Sequence, residues 1–164
     1  MPGDQLETLP PPSNLSLHNF RWQHALAVGR MIYKDRFPAD ISVYLIQIAS
    51  LDEAVIIEID KPDCEYWNVE LAQLQWEPGD WWAKLVNYNL KQVHYEADGS
   101  VRFIACWKDP GLPNWFDVSG RVLHLIGFRF FETRKEQTEP RVKTIKLADL
   151  PAHISPGMPR ISRE

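Results

Sequence analysis

The feature that most constrains the fold of this chain is the strand-like run from Arg121 to Phe131. It is rich in β-branched, aromatic and leucine residues, which is typical of a β-strand. Alternate residues of a strand share one face, and here one face is clearly the more apolar. The sequence therefore predicts that this face meets the core, through Val122, His124, Ile126, Phe128 and Phe130.

Shorter runs with the two-residue period of a strand occur through most of the chain. They are Ile41 to Ile48, Ala54 to Asp60, Tyr66 to Gln73, Gln92 to Glu96, Val101 to Trp107 and Arg141 to Leu147. The first two are separated only by a short polar turn, which favours a hairpin. Helices do not alternate with these strands, so the fold class predicted is mainly β, an antiparallel β-sandwich.

The two ends of the chain differ from this pattern. Residues 1–16 are proline-rich and polar, which is typical of a disordered lead. Apolar residues recur at helical spacing from Phe20 to Tyr33 and predict a short N-terminal helix. We expect residues 17–150 to form one sandwich domain, and residues 151–164 to be a proline-rich tail that either wraps the surface or frays.

Turns between the strands have specific chemistry. Asp98-Gly99 is a tight-turn dipeptide, and in Asp109-Pro110-Gly111 the proline presets φ while the glycine supplies a positive φ. We therefore expect Gly99 and Gly111 to have positive φ.

Composition excludes several classes of function. The formal net charge of -4 offers no basic excess to bind nucleic acid. No apolar run reaches the length of about 18 residues that a membrane span needs, and the start lacks the pattern of a signal peptide. Cys64 and Cys106 are far apart, and we expect both to be reduced thiols in a cytoplasmic protein.

The titratable residues form no recognisable catalytic or metal-binding motif. The histidines, at positions His18, His24, His94, His124 and His153, lack the spacing of a metal site, so no metal and no cofactor is predicted. His124 and Arg121 are three residues apart on one strand and point to opposite faces. His124 is therefore predicted to be a hydrogen-bonded core residue, and Ser119 does not lie in a nucleophile elbow.

The loop from Leu112 to Ser119 is one candidate ligand site. We expect it to be neither helix nor strand, and to be held by burial of at least one ring and by hydrogen bonds from Asn114 and Asp117. Our hypothesis is that Trp115 is the uncovered ring and forms a site with Asp117 and Arg121. The alternative is that the loop is a plug that closes one end of the sandwich.

Two further candidates lie outside this loop. Trp76, Trp81 and Trp82 are clustered, and exposed tryptophan rings stack on sugars or other flat ligands, although they would equally close one end of the core. Tyr66, Asn68 and Glu70 share the polar face of a strand, which is either a pocket wall or a solvated surface.

Several of these segments together resemble the bacterial family catalogued as domain of unknown function 1214. The similarity covers roughly Leu51 to Leu150 and rests on Tyr66-Trp67, Asp98-Gly99, Asn114-Trp115 and Phe128-Arg129-Phe130. It implies a jelly-roll-like β-sandwich that corresponds to the family's C-terminal domain, without the N-terminal domain of its relatives. Many relatives have histidine where this chain has Arg121, so a role that depends on that histidine does not transfer.

The function predicted from these observations is a non-catalytic module that binds a small molecule, a glycan or a protein. The alternative is an enzyme with a pocket at one end of the sandwich, acting on a small or carbohydrate-like substrate. A weaker alternative is an assembly subunit, such as a homo-oligomer joined through sheet edges.

Overall fold

The computed structural model describes the backbone of residues 26–33, and the backbone and side chains of residues 39–118 and 120–163. Within these ranges the chain forms nine strands and one 3₁₀ helix. They are β1 (Leu26–Tyr33), β2 (Ala39–Gln47), β3 (Glu53–Ile59), β4 (Tyr66–Ala72), β5 (Asn87–Asn89), β6 (Val101–Cys106), β7 (Trp115–Asp117), β8 (Leu123–Phe131), β9 (Arg141–Lys146) and the 3₁₀ helix Leu147–His153.

The strands form two sheets. Sheet one has the order β1-β2-β8-β4-β5, and sheet two has the order β7-β6-β3-β9. Neighbouring strands are antiparallel except β6 and β7, which are parallel. The two sheets pack face to face, so the predicted mainly β sandwich is confirmed.

The main core lies between the sheets, where alternate residues of each strand meet. Phe103 of sheet two and Phe128 of sheet one have ring centroids 6.2 Å apart. Residues that strand alternation predicts to be core are all buried: Trp67, Val69, Leu71, Phe103, Ile126 and Phe128. His124, Ile126, Phe128 and Phe130 of β8 are buried on the predicted face, whereas Val122 lies just before β8 and is exposed.

A second apolar layer covers the outer face of sheet two. The 3₁₀ helix and the residues after it lie across that face and bury Ile56, Ile104, Leu112 and Leu150. Since β3 has the core on one side and this layer on the other, its residues Ala54–Ile57 are all buried.

The N-terminal helix prediction is wrong where it can be compared with the structure. Residues 20–25 lie outside the described part of the chain, as does the predicted disordered lead of residues 1–16. From Leu26 to Tyr33 the chain is a strand that pairs with β2 and has a register shift between Ala27 and Gly29. Pairing with the edge of β2 satisfies backbone groups on both strands, and this tertiary gain overrides helical spacing.

The predicted hairpin between β2 and β3 is also wrong. β2 pairs with β1 and β8 in sheet one, whereas β3 pairs with β6 and β9 in sheet two. The short connection therefore turns a corner between sheets, and it is closed by the Glu53 carboxylate, which accepts a hydrogen bond of 2.8 Å from the Ala49 N–H.

Two local assignments need correction. Gln92–Glu96 is not a strand, because Asn89 organises a turn by accepting hydrogen bonds at its carbonyl from the Gln92 and Val93 N–H groups. Leu112–Ser119 is not wholly irregular, because Trp115–Asp117 pairs with β6. The expected positive φ is confirmed at Gly99 (+84°) and Gly111 (+65°).

Within the described part of the chain, no helix is long and apolar enough to cross a membrane.

Candidate functional site

The segment between β4 and β5 carries exposed tryptophan rings at one end of the sandwich. Trp76, Trp81 and Trp82 are 58%, 63% and 72% exposed, and Leu74 and Leu85 of the same segment are exposed as well. We call these five residues the tryptophan surface. The rings of Trp81 and Trp82 meet edge to face, with centroids 6.0 Å apart. Rings with this much exposure do not close the core.

The backbone beneath the tryptophan surface is held on both sides. The Leu71 N–H donates to the Val86 carbonyl over 2.7 Å, and the Asp117 N–H donates to the Leu85 carbonyl over 3.0 Å. At Gly79 the chain approaches Val86 so closely that a Cβ would lie 2.9 Å from Val86 Cγ1. Glycine is therefore needed there, and the exposed rings project from an ordered support.

Trp76 adds strain to this support. Its φ is +64°, a left-handed conformation that L-residues other than glycine and asparagine rarely adopt. Its N–H donates to the Gln73 carbonyl over 2.9 Å. Such a conformation costs about 1–2 kcal/mol and persists only where the surroundings impose it, often at ligand sites.

The Asn114 side chain holds its loop in place, as expected, but both rings of the loop, Trp115 and Phe116, are covered. The Asn114 side-chain oxygen accepts from the His94 N–H at 2.8 Å, and its amide donates to the carbonyls of His94 (2.8 Å) and Arg102 (3.0 Å). Asn114 has φ +54°, which asparagine tolerates well. This side chain is a structural clamp with its hydrogen-bonding groups already occupied.

The hypothesis that Trp115 is an uncovered ring is wrong. Trp115 is only 8% exposed, its Nε1–H donates to the Cys106 carbonyl at 3.1 Å, and the Arg163 guanidinium lies 5.1 Å from its ring centroid. Phe116 is fully buried in the main core. Because β7 lies between the two apolar layers, its successive rings are buried on opposite faces.

The predicted site of Trp115, Asp117 and Arg121 is not formed, because Arg121 contributes no side-chain contact to it in the described residues. Asp117 is half-buried at the end of β7, and Arg121 is exposed. Among residues 39–118 and 120–163, no hydrogen bond or ion pair involves the Arg121 side chain. Its carbonyl instead lies 3.3 Å from His124 Nε2.

Tyr66, Asn68 and Glu70 lie together on the outer face of sheet one. Arg129 of β8 engages two of them, through Nη2 to Glu70 at 2.9 Å and Nη1 to the Asn68 side-chain oxygen at 3.3 Å. The Tyr66 ring packs against Phe131 at 5.7 Å. This set is brought together, and its polar groups largely satisfy one another on an open face.

Burial favours the neutral form of three titratable groups in the interior. Burial lowers the pKa of His124, and burial raises the pKa of Cys106 and of Tyr88, each to about 12. The Tyr88 hydroxyl donates to the Trp115 carbonyl at 2.6 Å. His124 is buried and hydrogen-bonded, as predicted, and the Cys106 thiol is protonated at neutral pH and so a poor nucleophile. In the described residues no three His, Cys, Asp or Glu side chains are grouped to hold a metal ion.

Sequence reasoning missed two cavities that border the C-terminal segment, one against sheet two and one against the turn of residues 108–112. The larger, of about 580 Å³, we call the Arg102 cavity, and the smaller, of about 290 Å³, we call the Leu150 cavity. Ile154 lines both, so they adjoin. They depend on where residues 147–163 lie, which strand periodicity does not predict.

The wall of the Arg102 cavity is a cross-strand ladder of charges. Glu58 lies between Arg102 and Arg141 on neighbouring strands, with nitrogen–oxygen distances of 2.7 Å and 3.6 Å. Arg141 also pairs with Asp60 at 2.6 Å, a hydrogen bond that lowers the pKa of that carboxyl. Arg102 donates to the Ser155 hydroxyl at 3.2 Å and so ties the ladder to the C-terminal segment. The sequence signal for this ladder was Glu58 and Arg102, each a charged residue within an apolar run; β9 carries three charged residues and singles out none of them.

Comparisons with known proteins relate the chain to solved structures only. No model of a protein family and no curated protein matches it. It is similar to an uncharacterised protein from Burkholderia cenocepacia, with 30% identity and a TM-score of 0.62 over 67% of this chain and 30% of that one. A protein from Vibrio parahaemolyticus is 15% identical, with a TM-score of 0.48 over 65% of this chain and 31% of that one. The chain thus spans under a third of the length of either protein.

Proposed function

We propose that this chain is a non-catalytic binding module, and that its tryptophan surface stacks on the sugar rings of a glycan. The observation that carries the proposal is the exposure of Trp76, Trp81 and Trp82, each more than half exposed, from one segment. Large aromatic rings are normally buried, so a group of exposed rings on an ordered support marks an interaction surface.

The chemistry around the rings suits a sugar. An indole face provides apolar contact for the C–H side of a pyranose, and polar neighbours provide hydrogen bonds for its hydroxyls. Asp80 and Lys84 lie in the same segment, paired at 3.2 Å, with side chains 34% and 23% exposed. Because Trp81 and Trp82 are almost perpendicular, at 82°, each ring would contact a different sugar unit.

The experiment is calorimetric titration with soluble oligosaccharides: cellohexaose, xylohexaose, maltohexaose and chitohexaose. We expect one of these classes to bind, and Trp81→Ala and Trp82→Ala each to weaken that binding at least tenfold, a factor that corresponds to about 1.4 kcal/mol. The matched control is Tyr66→Ala, which removes an aromatic residue that is 40% exposed on a different face. No binding by any of the four, or loss of binding only in Tyr66→Ala, would overturn the proposal.

A partner protein is the second candidate for the same surface. Leu74 and Leu85 are 47% and 37% exposed, and they widen the apolar area beyond what one sugar ring covers. A second copy of this chain is the simplest such partner. Light scattering behind size exclusion would show a dimer that Trp82→Ala dissociates, while the oligosaccharides fail to bind.

The proposal extends to the family and the cell compartment. Membership of the family of domain of unknown function 1214, with its jelly-roll-like sandwich, is supported by the shared motifs. A bacterial origin is supported by the Burkholderia structure. A cytoplasmic location is supported by Cys64 and Cys106, which are both free thiols.

A further inference from the structure

We propose that the Leu150 cavity binds an amphipathic anion, an alkyl chain that ends in a carboxylate. This site is separate from the tryptophan surface and does not depend on its proposed function. It lies between the turn of residues 108–112, which follows β6, and the 3₁₀ helix with the residues that follow it.

The floor of the Leu150 cavity is apolar. Leu112 and Leu150 are 1% and 5% exposed, and the partly buried Leu147 and Ile154 pack against the same cluster. Leu112 is held in place because its carbonyl accepts a hydrogen bond of 2.6 Å from Arg163. A sugar would leave its hydroxyls unpaired against such a floor, whereas an alkyl chain would bury apolar surface there.

The rim of the Leu150 cavity is cationic. Lys108 and Arg160 line it together with a single carboxylate, Asp109. That carboxylate is already occupied, by Arg163 at 2.6 Å and by the Gly111 N–H at 2.7 Å. In the described residues no ion pair involves Lys108 or Arg160. The rim thus has unmatched positive charge in a chain whose formal net charge is -4.

The neighbouring Arg102 cavity is a poorer site for an anion. Its Arg102 and Arg141 are paired with Glu58, so an incoming anion would compete with carboxylates already in place. The Leu150 cavity, at about 290 Å³, is small for a ligand pocket and suits a chain of medium length rather than a long-chain lipid.

The first test is calorimetry with octanoate and decanoate below their micelle concentrations. Each methylene that enters the cavity should tighten binding about fourfold, so decanoate should bind about fifteenfold more tightly than octanoate. Octylammonium, with the same chain and the opposite charge, should bind at least tenfold more weakly than octanoate. No binding of decanoate, equal affinities for the two acids, or equal affinities for the two head groups would overturn the proposal.

The second test uses charge reversal. The double variant Lys108→Glu/Arg160→Glu should weaken decanoate binding at least tenfold, and folding should persist because both side chains are exposed. The matched control Lys91→Glu/Lys135→Glu changes the net charge equally at exposed positions outside the cavity and should bind as the wild type does. Equal loss in both double variants would mean a general charge effect and would overturn the proposal.

Methyl NMR distinguishes the Leu150 cavity from the tryptophan surface. Decanoate should shift the methyl signals of Leu112, Leu150 and Ile154 and leave the indole N–H signals of Trp81 and Trp82 in place. Shifts confined to the indoles would refute this site and would show instead that the tryptophan surface accepts alkyl chains. Failure of oligosaccharide binding would not change this result, so the experiments test the tryptophan surface and the Leu150 cavity independently.

Discussion

Replacing Trp115 with alanine tests the alternative that β7 and its loop are a plug rather than a ligand site. The ring is 8% exposed, lies under the C-terminal segment and has Arg163 against its face. Alanine would empty the space between β6 and that segment, and it would leave the Cys106 carbonyl without the indole donor.

The magnitude follows from the buried area. A tryptophan buries about 150–250 Å², which at about 25 cal/mol per Å² amounts to about 4–6 kcal/mol. The unfolded chain already buries part of this area, roughly 10–40%, so about 3–5 kcal/mol remains, in agreement with measured losses for Trp→Ala in cores. Since natural domains have about 5–15 kcal/mol in total, the variant should fold but with little reserve.

The assay is urea unfolding followed by far-UV circular dichroism, because seven tryptophans make fluorescence hard to assign. At a slope of about 2 kcal/mol per molar urea, the midpoint should fall by about 2 M. Trp115→Phe keeps one aromatic ring and should lose roughly half as much. The matched control is Trp82→Ala, at a ring 72% exposed, which should change stability by less than about 0.5 kcal/mol. A loss below about 1 kcal/mol for Trp115→Ala would refute the plug.

Two further predictions concern a turn and a buried histidine. Gly111→Val should lower the free energy of unfolding by about 1–2 kcal/mol, because valine is strained at a φ of +65°. Steric overlap adds nothing to this cost, because the nearest atom to an added Cβ is 3.6 Å away. An unchanged melting temperature would contradict this prediction. His124 has a lowered pKa in the folded state, so the unfolded chain binds its proton more readily. Its contribution to stability is complete above the ordinary histidine pKa of about 6.5 and is lost as pH falls toward the folded pKa. Between pH 7 and pH 5, urea titrations should therefore show a smaller loss of unfolding free energy for His124→Gln than for the wild type. Equal losses would refute the conclusion that the pKa of His124 is lowered in the folded state.

The main core could be predicted from sequence because strand alternation is a local property. Trp67, Val69 and Leu71 alternate with polar residues along β4, and their burial needs no knowledge of the partner strand. Partner choice is not local. The β2 and β3 strands look like a hairpin, yet each gains more by pairing within a different sheet, where Tyr44 and Ile57 contribute to the same core from opposite sides.

Burial on both faces was harder to predict. Alternation in β3 is blurred because Ala54 and Ile56 face the C-terminal layer while Val55 and Ile57 face the core. Nothing in the period of β3 says what covers its second face. The two cavities that border this layer, and the charged rim made by Lys108 and Arg160, depend on the position of the proline-rich C-terminal segment. The sequence predicts this segment only as a tail.

The tryptophans show why residue type alone does not locate a site. Trp115 follows Asn114 and Trp82 follows Trp81, both in segments that read as connections, yet one ring is 8% exposed and the other 72%. Trp115 is buried because β7 is inserted between two apolar layers, and a ring pointing either way meets one of them. Trp82 lies in a part of its segment that pairs with no strand, and within the described chain neither apolar layer covers it. An exposed indole forgoes part of the roughly 3–5 kcal/mol that burial in the core would contribute. A group of three such rings on one segment, one of them with a strained φ of +64°, is the observation on which the proposed binding surface rests.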